Sequence, residues 1–314
     1  MSITLSSYFC AISPNVEIFI FCRILQGISA AGGIVLTRAI ACDKYHGVEL
    51  TSFMSFLMAI NSLGPILGPI VGSFVLSIST WQTIFYILVV WGILLLVLSK
   101  GFVDETLVVE KRAKSVIDSL RQMKTDILNL KFMLTAISLS FIMGGFFSYL
   151  AASPFVFQVI YGFTPFEYSL TFAAIAIFLA TIASQAGRFA RRTSDLKVVF
   201  FAYTLMILAG LSVLIEAIVV PESHWFVFVS LAIYCAMMGT SQSAGFSVFM
   251  SFRKGGAGAA SGIFGVLNFL FGALCSPLVG LLGEKSMLPL GLNLFVCAIL
   301  ATLLLLVALK LKKS

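Results

Sequence analysis

The sequence has too little charge for a soluble protein of its length. Asp, Glu, Lys and Arg make up 11% of its 314 residues, whereas 60% are hydrophobic and the mean hydropathy is +1.08. So little polar surface could not cover a domain of this size in water. The apolar runs are about 20 residues or longer and lack the alternation of a membrane barrel. The composition therefore predicts an all-α polytopic membrane protein.

The sequence also lacks the patterns that build catalytic or metal centres. Its six cysteines include no C-x-x-C pair, so they are predicted to be buried apolar thiols. The glycine-rich turn at 255–258 lacks the Lys-Ser/Thr of a phosphate-binding loop. No catalytic triad or metal-ligand cluster can be read from the sequence. These absences predict a protein that is not an enzyme and that has no cofactor and no metal.

Nine apolar segments are long enough to cross a ~30 Å hydrocarbon core as helices. They are predicted at residues 16–41, 50–76, 81–98, 132–160, 166–187, 198–218, 225–252, 258–282 and 288–309. The preceding run, 1–13, is too short to span a bilayer and lacks the basic start of a signal peptide. It is interpreted as the end of a helix whose beginning lies upstream.

One long polar segment, which carries seven basic and five acidic residues, separates the third and fourth of these spans. Its apolar residues are spaced 4, 3, 4 and 3 apart, at Val116, Leu120, Met123, Ile127 and Leu130. This spacing predicts an amphipathic linker helix on the lipid surface, and a regulatory role is the alternative. The predicted domains are an incomplete N-terminal helical bundle at 1–98, this linker at 99–131 and a six-helix C-terminal bundle at 132–314.

The basic residues predict the orientation in the membrane. Alternate connections place 18 of the 20 Lys and Arg residues on one side. The opposite side has Lys285 alone, and Arg23 lies within a span. The positive-inside rule makes the first side cytoplasmic, with both termini there. The net charge of +7 is thus explained by the orientation of the protein in the membrane and does not indicate binding to nucleic acid. The predicted location is a cytoplasmic (inner) membrane, with the lipid bilayer as a partner.

A glycine-proline stretch stands inside the second span. It reads Asn61-Ser-Leu-Gly64-Pro65-Ile-Leu-Gly68-Pro69-Ile-Val-Gly72. The three glycines recur every four residues and share one helix face with Asn61 and Pro65. Small residues let a neighbouring helix approach closely, and each proline removes a backbone hydrogen bond. The stretch therefore predicts a helix that packs tightly and bends.

A similar pattern returns in the second half of the chain. Asn61 and the later Pro-Ile-Val-Gly72 are repeated as Asn268 and Pro-Leu-Val-Gly280, with one residue of slippage. Such repeats are typical of secondary transporters, whose substrate site lies near the bilayer midplane. Chance similarity between two Gly/Pro-rich apolar segments is the alternative.

One charged residue lies deep in an apolar run. Arg23, in Arg23-Ile-Leu-Gln26-Gly27, would cost about 2.5 to 3.5 kcal/mol at a helix centre, so it is predicted to face the bundle interior with a partner. Snorkelling to water near Glu17 is the alternative. Glu17 and Glu216 are predicted to lie near helix ends, within reach of solvent. The spans thus lack the buried carboxylate that a proton-coupled carrier usually needs.

Several polar and aromatic side chains within the spans could line a cavity for bulky lipophilic molecules. They are Gln26, Tyr149, Ser153, Phe157, Gln158, Gln242 and Asn268. A lone Gln or Ser in a membrane helix more often joins two helices through a hydrogen bond, and this is the alternative for each polar member.

Four motifs, in order along the chain, resemble those of the major facilitator superfamily, specifically its bicyclomycin-resistance-like (Bcr/CflA) drug-efflux subfamily. Residues 23–32 are similar to motif B on helix 4. Residues 64–73 are similar to the antiporter motif C on helix 5, with Ser73 in place of a second glycine. Residues 149–158 are similar to helix 7, and residues 258–277 to helix 11.

The resemblance implies a two-bundle fold of twelve helices, of which this chain would lack the first two and part of the third. It implies a secondary active transporter that exports lipophilic drugs in exchange for protons by alternating access. Arg23 would respond to the coupling proton, together with an acidic residue of the absent helix 1, and the helix of Gly64 would seal against its neighbour. A monomer is expected. A metabolite facilitator of the same fold and a non-transporting remnant are the alternatives.

Overall fold

The computed structural model describes residues 2–61, 63–102, 123–219, 224–280 and 286–311. The described residues are helical apart from short connections. In chain order the helices are α1 (Ser2–Ala11), α2 (Val16–Lys44), α3 (Gly47–Asn61), α4 (Leu63–Ile78), α5 (Trp81–Phe102), α6 (Leu130–Pro154), α7 (Pro165–Ala183), α8 (Ala186–Arg192), α9 (Asp195–Val219), α10 (His224–Ser251), α11 (Ala257–Cys275) and α12 (Leu288–Lys310). A π-helix, Phe155–Ile160, continues α6, and a 3₁₀-helix, Ser276–Gly280, continues α11.

Eight of these helical segments are long and apolar enough to cross a membrane. They match eight of the nine predicted spans, and the predicted all-α membrane fold is confirmed. The remaining span, predicted at 50–76, contains α3 and α4 on either side of residue 62, which is outside the described residues. Of the predicted linker helix, Met123 and Ile127 lie in a helical turn, whereas Val116 and Leu120 lie outside the described residues.

Side-chain hydrogen bonds fix where two of the helices begin. The side chain of Asn129 accepts from the backbone N–H of Phe132 at the start of α6. At the start of α7, Thr164 and Glu167 cap each other's backbone N–H groups. Pro165 occupies the first position of α7, where a backbone N–H would have no partner within the helix. At both positions the capping residue lies at the end of a polar turn, and the helix begins with the apolar run that follows.

Contacts divide the chain into two compact units. The first comprises Met1–Asp43 and Leu67–Arg112, and the second comprises Lys44–Ile66 and Ala113–Ser314. Helix α3 therefore packs within the second unit, and the division falls inside α4. The bundle limits predicted at 98 and 131 stay a prediction.

In the first unit, α1 packs along α5, with Thr4 against Gly92. In the second unit, α10 is the most buried helix: every residue from Tyr234 to Met250 is buried, against α3, α6, α7 and α9. The ring of Phe249 lies 4.3 Å from that of Phe132 on α6 and 5.1 Å from that of Phe264 on α11. These aromatic contacts hold three helices of the second unit together.

Two glycines bring the backbones of α9 and α12 together. A Cβ atom at Gly210 would lie 2.8 Å from the backbone nitrogen of Phe295, and one at Gly291 would lie 2.7 Å from Cα of Leu214. Such close approach is a main source of helix association in lipid, because apolar surface gains little by leaving lipid for protein.

Gly291→Val is expected to lower the free energy of unfolding of the protein in detergent by about 1 to 3 kcal/mol, because its side chain would overlap the backbone of α9. Thermal unfolding followed by intrinsic fluorescence would measure the loss. Gly265→Val is the matched control, because no described atom outside its helix lies within 4 Å of a Cβ at Gly265. Equal unfolding temperatures for the two variants would contradict the packing described here.

Candidate functional site

Arg23 lies seven residues, roughly 10 Å, beyond the start of α2. Its Nη1 donates to Oε1 of Gln26 at 2.6 Å, and Nε2 of Gln26 donates to Oγ of Ser7 on α1 at 2.6 Å. Gln26 and Ser7 are buried, whereas Arg23 is exposed in the described structure. The hydrogen-bond partner of the guanidinium, Gln26, therefore lies about one turn after Arg23 on α2, in the direction away from Glu17.

An aromatic cluster of three rings stands beside Arg23 in the first unit. The guanidinium carbon lies 5.7 Å from the ring centroid of Phe85. Phe19, Trp81 and Phe85 meet edge to face, with centroids 5.6 to 5.9 Å apart. A cavity of about 360 Å³ opens beside Phe19 and Trp81. Aromatic faces next to a cation can hold a flat lipophilic molecule.

The glycine face of α4 has no close neighbour in the described part of the chain. No described heavy atom outside the helix lies within 4 Å of a Cβ placed at Gly64, Gly68 or Gly72. The tight helix contact predicted for this face is thus not found among the described atoms. Asn61, the last residue of α3, is exposed. The side chains of Pro65 and Pro69 are outside the described part of the chain.

Three of the predicted cavity residues are brought together where α6 passes into the π-helix. Tyr149, Ser153 and Phe157 follow one another at four-residue intervals and are at most 2% exposed. The change of helix type follows Pro154, which cannot donate a backbone hydrogen bond. Short π segments of this kind occur frequently at functional sites.

These three side chains pack against α7. Oγ of Ser153 and the hydroxyl of Tyr168 are 3.0 Å apart. The ring of Tyr149 stacks on that of Phe172 at 6.2 Å, and the ring of Phe157 lies 6.4 Å from that of Tyr168. The result is a buried aromatic wall in which one pair of hydroxyls is hydrogen-bonded. None of the described cavities is lined by Tyr149, Ser153 or Phe157. Its assignment to a substrate cavity stays a prediction.

The predicted amides of the second unit join helices. Nε2 of Gln242 on α10 donates to the backbone carbonyl of Leu139 on α6 at 2.9 Å. Oδ1 of Asn268 on α11 accepts from Oγ of Ser140 on α6 at 3.1 Å. Gln158, in the π-helix, is half-buried. The geometry of Gln242 and Asn268 is that of interhelical hydrogen bonds, and a role in binding substrate is untested.

The structure corrects the prediction for one carboxylate. Glu216 is 6% exposed, although it was predicted to be within reach of solvent near the end of its helix. Its Oε1 accepts from Oγ of Ser212 at 2.8 Å, and Oγ of Ser230 on α10 donates to Oγ of Ser212 at 3.0 Å. Position in the helix misled the prediction, because α10 covers this end of α9.

A second carboxylate anchors helix ends. Oδ1 of Asp195, at the start of α9, accepts from Oγ1 of Thr51 on α3 at 2.7 Å. Oγ of Ser247 on α10 lies 2.9 Å from Oδ2 of Asp195 and 2.9 Å from the backbone carbonyl of Gly47. A cavity of about 760 Å³ within the second unit is lined in part by Asp195, Ser247 and Arg253. Asp195 thus joins three helices beside this cavity.

Sequence reasoning missed several of these residues. Tyr168 and Phe172 are four residues apart on α7, as are Trp81 and Phe85 on α5, and that spacing is a signal for a shared helix face. Asp195 begins a helix, where an acidic residue is expected for capping alone. No signal in the sequence would have shown that α10 buries Glu216.

Comparison with known proteins identifies the family. The model of the Major Facilitator Superfamily matches residues 1–277. An uncharacterized MFS-type transporter, YdgK of Bacillus subtilis, is 35% identical over 302 residues, which cover 95% of this chain and 75% of the relative. The multidrug resistance protein MdtL of Escherichia coli O157:H7 is 27% identical over 312 residues, which cover 96% of this chain and 75% of the relative.

Solved structures share the fold. The human organic anion transporter MFSD10 superposes with a TM-score of 0.76 at 20% identity, over 98% of this chain and 75% of that chain. The Escherichia coli fucose:proton symporter FucP gives a TM-score of 0.66 at 14% identity, over 96% and 83% of the two chains. These findings bear out the resemblance at the level of the superfamily and the prediction that the protein is not an enzyme. The chain belongs to the major facilitator superfamily and is a multi-pass membrane transporter of small molecules.

Proposed function

We propose that the protein exports lipophilic drugs by drug/proton antiport with alternating access, as a monomer in the cytoplasmic membrane with both termini in the cytoplasm. The observation that carries the proposal is the position of Arg23, a cation inside an apolar helix that donates to the amide oxygen of the buried Gln26, which in turn donates to the hydroxyl of the buried Ser7. Ionisable residues at such depth mark the paths of substrates or ions in membrane proteins. The likeness to the multidrug resistance protein MdtL supports a drug as the substrate.

The named residues have distinct roles in this proposal. Arg23 responds to the coupling proton, and Gln26 transmits its position to α1. Tyr149, Ser153 and Phe157 supply an aromatic wall with hydroxyl groups for a bulky apolar substrate. Membership of the Bcr/CflA subfamily, and the sealing role of the helix with the glycine-proline stretch, belong to the same proposal.

Expression of the chain in a bacterium without its own drug pumps would test the function. We expect lower susceptibility to several lipophilic drugs than with an empty vector, and movement of protons that depends on added drug. Transport of one polar solute with unchanged drug susceptibility would instead identify a metabolite facilitator. A protein that reaches the membrane and gives neither effect would overturn transport by this chain and leave the non-transporting alternative.

A further inference from the structure

Glu216 occupies an unusual environment in the second unit. It lies three residues before the end of α9 and is 6% exposed. Ser212 donates to its Oε1, but its Oε2 is buried and has no hydrogen-bond partner in the described structure. Both oxygens of Asp195, by comparison, accept from hydroxyl groups.

A buried oxygen without a partner makes the charge of a carboxylate costly, because no described donor replaces its hydration. A proton added to Oε2 removes that charge and leaves the bond from Ser212 to Oε1 in place. Ser212 and Ser230 form a chain of hydroxyls that ends at the carboxyl. Hydroxyl hydrogens rotate, so this chain can donate toward or away from Glu216 as its charge changes.

Few other ionisable groups lie on the helices that pack around Glu216. Tyr161, just after the π-helix, has its pKa raised to about 12 by burial and by the negative charge of Glu216. His224 begins α10, and its ring lies 6.0 Å from that of Tyr161. Helix α12 has no acidic or basic residue before Lys310, at its far end, and α3 and α8 meet the opposite end of α9, at Asp195. On α10 and α12, Tyr234, Cys235 and Cys297 are the remaining ionisable side chains of the helices beside Glu216.

We propose that Glu216 is a proton-binding site of the second unit, which takes one proton onto Oε2 from water and returns it to water in each transport cycle. Three residues of helix, about 4.5 Å, separate it from the end of α9, which is a short path for a proton. The site supplies the buried carboxyl that the sequence alone did not provide. The part of the proposal that concerns the transport cycle rests on the proposed drug/proton antiport.

Infrared spectroscopy of the purified full chain in lipid nanodiscs would test the binding of a proton directly. We expect the wild type to show the carbonyl stretch of a protonated carboxylic acid, which disappears as the pH is raised. Glu216→Gln should lose this band, whereas Glu49→Gln, at an exposed position of α3, should keep it. An unchanged band in Glu216→Gln would overturn the proposal.

Two additions keep the outcome clear. If Glu216→Gln does not fold, Glu216→Asp retains the acid on a shorter side chain, and the band should then shift; a band that neither shifts nor vanishes overturns the proposal.

In proteoliposomes that transport drug, Glu216→Gln should lose drug accumulation driven by a proton gradient, and Glu49→Gln should keep it. Retained accumulation would overturn the role in the cycle. A wild type that transports no drug would refute the antiport, while the infrared band would still decide whether Glu216 binds a proton.

Discussion

Replacement of Arg23 by Ala is expected to reduce proton-driven drug efflux by about tenfold to a hundredfold, since a hydrogen bond to a charged group is worth about 1.5 to 3 kcal/mol and 1.4 kcal/mol is a factor of ten. The substitution removes the guanidinium that donates to Gln26 and lies over Phe85. It also leaves the buried amide oxygen of Gln26 without this donor. Efflux of a fluorescent lipophilic cation from energised cells would measure the loss.

Two further variants make this result specific. Arg23→Lys keeps the charge but not the planar fork of donors, so an intermediate rate is expected. Arg192→Ala, at an exposed position of α8, removes a charge elsewhere and should leave efflux near the wild-type rate. Equal efflux by Arg23→Ala and the wild type, at equal amounts of protein in the membrane, would show that Arg23 has no part in coupling.

Asp195→Ala should lower the free energy of unfolding in detergent by about 1.5 to 3 kcal/mol, the range for a hydrogen bond to a charged group. The variant removes the acceptors of Thr51 on α3 and Ser247 on α10, so α3 loses its polar connection to α9. The favourable interaction of a negative charge with the start of α9 is lost as well.

Asp195→Asn is the matched control for this prediction. Its amide keeps one acceptor and adds one donor, so polar contacts to Thr51 and Ser247 are retained without the charge. We expect a loss smaller than that of Asp195→Ala. If the alanine variant unfolds at the wild-type temperature, the hydrogen bonds of Asp195 do not hold α3 in the second unit.

The membrane spans could be predicted because they depend on local composition. An apolar run of about 20 residues must be a helix in lipid, since its backbone polar groups have no other partners there. The turn before Pro165 was also predictable from local sequence, because proline favours the first turn of a helix and not its interior. The residues that would contact one another across helices could not be predicted in this way.

Glu216 and Tyr149 show the physical reason. The predicted exposure of Glu216 followed from its distance to the helix end, but burial there depends on how far α10 extends beside α9. Tyr149 was identified by its polar aromatic character, whereas its stacking on Phe172 depends on the crossing of α6 and α7. Periodicity defines the face of one helix and carries no information about which neighbour covers it.

Helix α3 makes the same point for larger units. Residues 47–61 belong to the predicted N-terminal bundle, whose limits stay a prediction, and their contacts lie mainly within the second unit. The polar link through Thr51 and Asp195 spans residues far apart in the chain. Neither residue has a neighbouring signal in the sequence that would have paired them.

The measurement that tests the proposed antiport most directly uses proteoliposomes with a pH-sensitive dye inside and a lipophilic cationic drug loaded within. When acid is added outside, drug should leave and the interior should acidify faster than in liposomes without drug, and Arg23→Ala should reduce both effects by about tenfold or more. Acidification at the same rate with and without drug, or a rate of drug exit that does not depend on the proton gradient, would contradict drug/proton antiport by this protein.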